Sequence, residues 1–348
     1  MDAHAVDVTA LTAPDRLGPA LAGATADERW ISHRSRLVSG GKSNLTFEVV
    51  SEAGTLILRR PPSGKLLPSA HDMRRETRVQ RALRGSAVPV PRIVLVDETG
   101  DLTGFPYYVM EKVDGPVIRD RLPESYAVTP AERVGMADRL VDTLVGLHSI
   151  DAGAAGLSDF GRPEGYLERQ LSRWWGQWES SADREVPEVT VLAERLATRL
   201  PVHRRSAILH GDFRLENCVM DPADPSRIAA VLDWEMSTRG DPLTDVGLFL
   251  FYWREPGDPP LALVPTVTDQ PGFPSRQYLA ERYATATGVD LSDMDFYLAF
   301  ANFKFAVIVQ GILARVSGGA MAGQDFGDLA PLVVGCVRAG IDLLGNKS

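Results

Sequence analysis

Cysteine is almost missing from this chain: its 348 residues carry only Cys218 and Cys336. Two thiols cannot build a disulfide framework, so a reducing compartment is expected. Neither cysteine has C-x-x-C spacing, and the six histidines form no H-x-x-x-H pair, which removes the usual structural zinc patterns. Long apolar runs are lacking too. The most apolar segment, FKFAVIVQGILARV, is interrupted by Gln310 and bounded by Lys304 and Arg315, and it reads as too short to span a bilayer. The opening MDAHAVDVTALTAPDRLG has neither a basic n-region nor an apolar h-region, so no signal peptide is read. A soluble, cytoplasmic chain without a membrane partner is the expectation. Excess positive charge is absent as well: the net charge is −9, which argues against nucleic acid as a main partner. No repeat of solenoid period occurs.

What is present is an ordinary globular composition, 44% hydrophobic and 24% charged, in a chain long enough for two domains or two lobes. The first third is strand-like. SRLVSG and LTFEVV flank a glycine-rich loop, and LTFEVVSEAGTLILRR reads as a hairpin turning at Ala53-Gly54. SAHDMRRETRVQRALRG reads as a helix, with Ser69 and Asp72 as capping residues and Gly85 past its end. PRIVLVDE and FPYYVMEKVDG read as strands. Beyond them the pattern turns helical, starting at Thr129-Pro130-Ala131-Glu132, an N-cap followed by a first-position proline and a capping-box glutamate. Further helices are expected around 164–179, 187–199, 241–253, 275–287, 292–316 and 327–344, with SAILHGD, NCVM and RIAAVLD as a strand-like island. The expected division is a β-rich N-terminal lobe over 1–110, a connector at 111–115, and a helical lobe over 116–348.

The loop SGGKSN at 39–44 contains G-K-S, but a Walker A motif needs a glycine where Arg36 stands and a helix where a strand follows. A glycine-rich turn between strands is a different phosphate device, because glycine lets backbone N–H groups approach an anion. Gly40, Gly41, Ser43 and Asn44 are therefore candidate nucleotide contacts. HGDFRLENCVMD supplies Asp212 and, five residues on, Asn217; IAAVLDWE ends on Asp233, 21 residues after Asp212. Phosphoryl transfer from ATP needs Mg2+ to neutralise phosphate charge and an acid to receive the proton of the attacking hydroxyl. Mg2+ takes few protein oxygens and keeps waters, so one carboxylate and one carboxamide suffice. In that arrangement Asp212 faces a hydroxyl acceptor, while Asn217 and Asp233 hold the metal.

HGDFRLEN, VLDWE and GDPLTDVG, in that order, resemble the aminoglycoside-phosphotransferase-like kinases, relatives of protein kinases whose matching motifs are H-R-D-x-x-x-x-N and D-F-G. The resemblance runs from about residue 35 to at least 255. It implies an α+β, protein-kinase-like bilobal fold and an enzyme that uses ATP and Mg2+ to phosphorylate a hydroxyl of a small molecule. It also implies roles. Arg59 in LILRR stands where kinases place the lysine contacting the α/β-phosphates, and Glu76 matches its helix partner. Arg214 matches the catalytic-loop lysine, and His210 and Asp245 look like braces. Glu111 and Val113 fall at the connector whose backbone meets adenine. Strand alternation puts Arg59 on the face of Ile57 and Arg60 on the other. Glu76 shares an inward stripe with Met73, Gln80 and Leu83. Trp174, Trp175 and Trp178 read mostly as core.

For the acceptor, LRRPPSGKLLPSAHDMRRE resembles kinase domains fused to or associated with acyl-CoA dehydrogenases, which implies a hydroxyacyl-CoA or related anionic hydroxy acid. Independently, residues 59–84 hold eight Lys or Arg and two acids, a basic concentration suited to an anionic substrate. The alternatives are an aminoglycoside or macrolide antibiotic as acceptor, and a non-catalytic nucleotide-binding pseudokinase.

Overall fold

A computed structural model describes residues 7–38, 44–62, 72–202, 205–318 and 327–345. The chain divides into two compact units, Met1–Gly115 with Ala229–Ser237, and Pro116–Ile228 with Thr238–Ser348.

The first unit opens with two helices absent from the sequence expectations, α1 (Val8–Thr12) and α2 (Pro14–Thr25). Five strands follow as one antiparallel sheet: β1 (His33–Leu37), β2 (Leu45–Ser51), β3 (Gly54–Arg60), β4 (Ile93–Asp97) and β5 (Tyr107–Glu111), in the order β1-β2-β3-β5-β4. Ser51 pairs with Gly54, so the hairpin turns on Glu52-Ala53, one residue earlier than the sequence suggests. The positive φ of 132° at Gly54 explains the offset, because glycine's freedom is needed to enter β3. Between β3 and β4 lies α3 (Met73–Leu83), capped by Asp72, whose side chain accepts from the N–H groups of Arg74 and Arg75. Ser69 lies outside the described residues.

Period-two alternation sorts the sheet's side chains. Phe47, Val49, Leu56, Leu58, Tyr107 and Val109 form a core with Leu17 and Leu21 of α2. On the opposite face Tyr108 and Met110 pack with Met73 of α3 and with Ile57. Arg59 follows Ile57, whereas Arg60 goes to the other side, where its Nη1 donates to Leu11 O at 3.0 Å and its guanidinium lies over Phe105.

The second unit begins at the boundary 115/116. There α4 (Pro130–His148) starts with the complete Thr129–Glu132 capping box. Then come α5 (Tyr166–Ser181), α6 (Pro187–Thr198) and the short strands β6 (Ala207–Leu209), β7 (Cys218–Met220) and β9 (Thr238–Gly240), β6 pairing with β9, while β8 (Ile228–Val231) falls almost wholly in the segment that groups with the first unit. Four helices complete it: α7 (Pro242–Tyr252), α8 (Arg276–Thr287), α9 (Met294–Ser317) and α10 (Ala330–Leu344). The apolar run judged too short to span a membrane is part of the 24-residue α9, which is long and apolar enough by length and composition. Most of that stretch is buried against the unit's other helices, so protein packing accounts for its apolarity.

Residues 229–237, which sequence order assigns to the helical lobe, pack with the first unit. Val231 N–H donates to Pro89 O at 2.8 Å and Arg75 donates to Ser237 O at 3.1 Å. Those long-range contacts decide the grouping, and nothing local in the segment announces them.

A carboxylate also organises the turn after β4. Asp97 accepts from the backbone N–H groups of Gly100 at 2.8 Å and Leu102 at 2.9 Å, and at 3.2 Å from Asp101. Burial alone would raise its carboxyl, but these donors hold it below the usual carboxylate range. A depressed folded-state value adds stability above the unfolded pKa, and that stability is lost as pH falls through the folded value. Asp97→Ala is expected to cost about 2–3 kcal/mol at neutral pH. The difference from wild type should shrink below about pH 4. Urea unfolding at both pH values checks this, and an equal gap at each would refute the carboxylate's role.

Candidate active site

In the first unit, register and helix face bring four acidic or basic side chains together. Arg59 of β3 lies opposite Tyr108 of β5. On α3 the 3-4 stripe Met73, Glu76, Gln80, Leu83 is buried, and Glu76 is fully enclosed. A carboxylate there needs partners. Glu76 accepts from the Tyr108 hydroxyl at 2.9 Å and from Asn44 Nδ2 at 3.1 Å, and lies 3.5 Å from Arg59 Nε. Burial pushes its carboxyl up, opposed chiefly by the Arg59 charge.

Arg59 also donates through Nη2 to Asp233 Oδ1 at 2.9 Å and comes within 4.0 Å of Glu235. Burial works against its charge, yet Tyr108, Glu76 and Asp233 together raise its pKa. Three carboxylates thus surround one guanidinium. Asp233 has φ 65°, a left-handed conformation uncommon outside glycine. Such strain concentrates at functional positions. Its side chain is 31% exposed, so the carboxylate is accessible as well as paired.

The second unit builds the loop that carries Asp212. Asp245 of α7 is buried and accepts from His210 N–H at 2.7 Å and Gly211 N–H at 2.9 Å, with His148 Nε2 at 3.3 Å. Burial would raise this carboxyl; the hydrogen bond and charge of His148, with the His210 contacts, hold it below the usual range. Gly211 has φ 83°, open to glycine without strain. Its carbonyl accepts from Lys304 Nζ at 2.8 Å, and that ammonium sits 5.4 Å from the Trp174 ring centre. Asn217 donates through Nδ2 to Asp212 O at 2.8 Å and Asp212 Oδ2 at 3.1 Å, so its Oδ1 remains to offer a cation. Arg214 lies 3.5 Å from Asp212 Oδ2 and 3.2 Å from Glu216, with its guanidinium 4.6 Å from the Tyr252 ring centre.

Among the residues singled out from sequence, the first unit joins Arg59, Glu76, Asn44 and Asp233, and the second joins Asp212, Arg214 and Asn217. Gly40, Gly41 and Ser43 lie outside the described residues. Asn44 is buried, its Nδ2 bridging Glu76 and Glu235, so its side chain braces the acids. Glu111 ends β5 with its N–H donated to Arg92 O at 2.9 Å, and Val113 follows in the connector, half-buried. Trp174 and Trp178 are core, and Trp175 is half-buried. Tyr108, Glu235 and Lys304 had not been singled out. The lysine's signal was visible as a charge in the interior of the long apolar helix α9. Burial lowers its pKa, Asp212 and Asp245 oppose that, and Arg173 and Arg214 add to it.

Comparison with known proteins identifies the family. Residues 35–277 match the model of the phosphotransferase enzyme family, and the chain belongs to that family. It is accordingly a small-molecule kinase, with the protein-kinase-like fold, that transfers phosphate from ATP to a hydroxyl. Human acyl-CoA dehydrogenase family member 11 is 36% identical over 307 residues, covering 87% of this chain and 39% of that protein. Mouse acyl-CoA dehydrogenase family member 10 is 34% identical over 280 residues, 79% of this chain and 26% of its own length. The chain thus spans about two fifths or less of these relatives. A solved structure from Ralstonia eutropha, assigned by name to the aminoglycoside phosphotransferases, is 30% identical with TM-score 0.76, covering 90% of this chain and 92% of that one. Aminoglycoside phosphotransferase APH(4)-Ia, solved with ADP and hygromycin B, shares the fold at TM-score 0.62 and 16% identity, covering 91% of this chain and 96% of its own.

The Arg59–Glu76 contact generates a coupling test. Arg59→Ala and Glu76→Ala are expected to be non-additive in kcat/KM for ATP, by about 0.5–3 kcal/mol, as residues of one network are. Losses that simply sum in the double variant would show that the pair does not act as a unit.

Proposed function

We propose that this chain phosphorylates a hydroxyl carried on a hydroxyacyl-CoA thioester or a related anionic hydroxy acid. The observation that carries the reading is the charge of α3. Arg74, Arg78, Arg81 and Arg84 are exposed on or just past that helix, within a stretch holding eight Lys or Arg against two acids. Arg59, Arg60 and Arg75 have internal partners and Arg74 pairs with Glu98 at 3.4 Å, so the exposed basic face is smaller than the sequence count, but it persists. A CoA thioester brings phosphates that such a face attracts, whereas a polycationic antibiotic would be repelled. The names of the relatives favour the same class of acceptor.

Asp212 would accept the acceptor's hydroxyl proton while the oxygen forms its bond to the γ-phosphorus of ATP. The bond from that phosphorus to the β–γ bridging oxygen breaks, and ADP departs. The donors available for Mg2+, the Asn217 carboxamide oxygen and the Asp233 carboxylate, are hard oxygens of the kind Mg2+ prefers. When bound, the metal would neutralise charge on the β- and γ-phosphates. Arg59 would contact the α/β-phosphates, and Arg214 the γ-phosphate. Gly40, Gly41, Ser43 and the backbone of Asn44 would meet the phosphates, and Glu111 and Val113 the adenine. The presence of Asp212, Asn217 and Asp233 together favours an active kinase over a nucleotide-binding pseudokinase.

Asp212→Ala should lower turnover about 10²–10⁴-fold, the range for a general base, with MgATP affinity within a few-fold of wild type. Asp233→Ala should instead weaken Mg2+-dependent nucleotide binding. Near-full turnover by Asp212→Ala in a coupled ADP assay would remove it from the role of base. The acceptor is tested by comparing a 4-hydroxyacyl-CoA with kanamycin in one ADP-release assay. Phosphorylation of the thioester is expected; turnover with the antibiotic and with no thioester or hydroxy acid would overturn the reading.

A further inference from the structure

In the second unit one ammonium group is buried in the middle of an apolar helix. Lys304 of α9 stands among Phe300, Ala301, Phe303, Phe305 and Val307, all buried, and is itself buried. Its Nζ donates to Gly211 O at 2.8 Å and lies over the Trp174 ring. Among the described residues no carboxylate comes within ion-pair distance of it. We propose that Lys304 is a positioning residue for phosphoryl transfer: it holds the peptide plane between Gly211 and Asp212 in one orientation, and so aims the Asp212 carboxylate at the acceptor hydroxyl. The inference rests on Asp212 as the base and is independent of the class of acceptor.

The peptide planes leading into Asp212 are held by different groups. Asp245 takes the N–H groups of His210 and Gly211 at 2.7 and 2.9 Å, which fixes the planes before Gly211. The plane after Gly211 has other partners. Its N–H, on Asp212, donates to His210 Nδ1 at 3.2 Å, and its C=O accepts from Lys304. This is also the plane freest to turn over. Turning it needs rotation about ψ of Gly211 and φ of Asp212, and the first of these meets no side-chain barrier at a glycine.

Only a donor without acceptors can enforce one orientation. An ammonium has N–H donors and no lone pair. It stabilises the plane with the carbonyl toward it and repels the turned form, which would present an N–H to a positive charge. A hydroxyl or a carboxamide in the same place could serve either orientation. That one-sidedness accounts for a charge kept where burial opposes it. Asp212 and Asp245 favour the charged form, and the face of Trp174, 5.4 Å away, adds a cation–π contact. Methionine at this position would match the apolar neighbours in α9 and exert no preference.

Hydrogen exchange followed residue by residue by NMR tests the clamp without any acceptor. In Lys304→Met of the full chain the Asp212 amide should exchange about tenfold faster than in wild type, while the Gly211 amide, held by Asp245, keeps its rate. An unchanged Asp212 amide, or equal acceleration of both, overturns the proposal. Turnover is read as ADP release with a 4-hydroxyacyl-CoA. Lys304→Met should lower kcat about tenfold to a hundredfold, the scale of a small misplacement at a reacting group, with KM for ATP little changed. In the Asp212→Ala background the same substitution should cost less than about threefold, because residues that act as a unit are non-additive. Wild-type kcat in Lys304→Met, or the same loss in both backgrounds, overturns the positioning role. Should Lys304→Met fail to fold, Lys304→Gln, which can serve either orientation, is held to the same outcomes. Near-full turnover by Asp212→Ala overturns the base reading and the aiming role together. Absence of thioester turnover rejects only the acceptor class, and the two exchange rates then decide for Lys304.

Discussion

A single buried carboxylate gives the loop around Asp212 its shape. Asp245 spends both oxygens on the backbone of His210 and Gly211, with His148 as a third partner. The dependence is mutual: a buried charge that loses such partners is strongly destabilising, and without Asp245 the loop loses the acceptor of two backbone N–H groups. Gly211 makes the geometry possible, because a side chain at its φ of 83° would be strained. On the other side of the same residue Lys304 donates to the Gly211 carbonyl. Asp212 therefore leaves a residue held at both its N–H and its C=O, and Asn217 then fixes the Asp212 carboxylate.

In the first unit the organising group is a cation. Arg59 reaches Glu76 through Nε and Asp233 through Nη2, and a lysine's point charge has no comparable fork. The Arg-for-Lys exchange relative to protein kinases is thus accompanied by a cluster that uses more than one guanidinium nitrogen. Tyr108 and Asn44 supply the neutral donors that let Glu76 remain enclosed.

Much of this was legible from residue order. The Thr129–Glu132 box, the inward stripe of Glu76 and the sides taken by Arg59 and Arg60 follow from helix and strand periods, which are local. The spacing of Asp212, Asn217 and Asp233 was visible because a motif preserves sequence distance. What stayed hidden depended on contacts across long stretches of chain. Asn44 looked like a phosphate contact because it ends a glycine-rich loop, and only Glu76 and Glu235 give it a bracing role. Lys304 looked like the boundary of an apolar run until Gly211 O appeared beside it. The helices α1 and α2 were missed because Pro14, Gly18 and Pro19 obscure the pattern, while the tertiary contacts of Leu17 and Leu21 hold α2 in place.

The grouping of residues 229–237 with the first unit has a consequence for how such a protein can be cut. A fragment ending at Gly115 would contain every strand of the five-stranded sheet and still be chemically incomplete. Arg59 would face Glu76 without Asp233, Pro89 O would lack the N–H of Val231, and Arg75 would lose the carbonyl of Ser237. The first unit of this chain is therefore not a detachable module. It is completed by a short return of the chain after the loop around Asp212, so its contacts are lost when the chain is cut between the two.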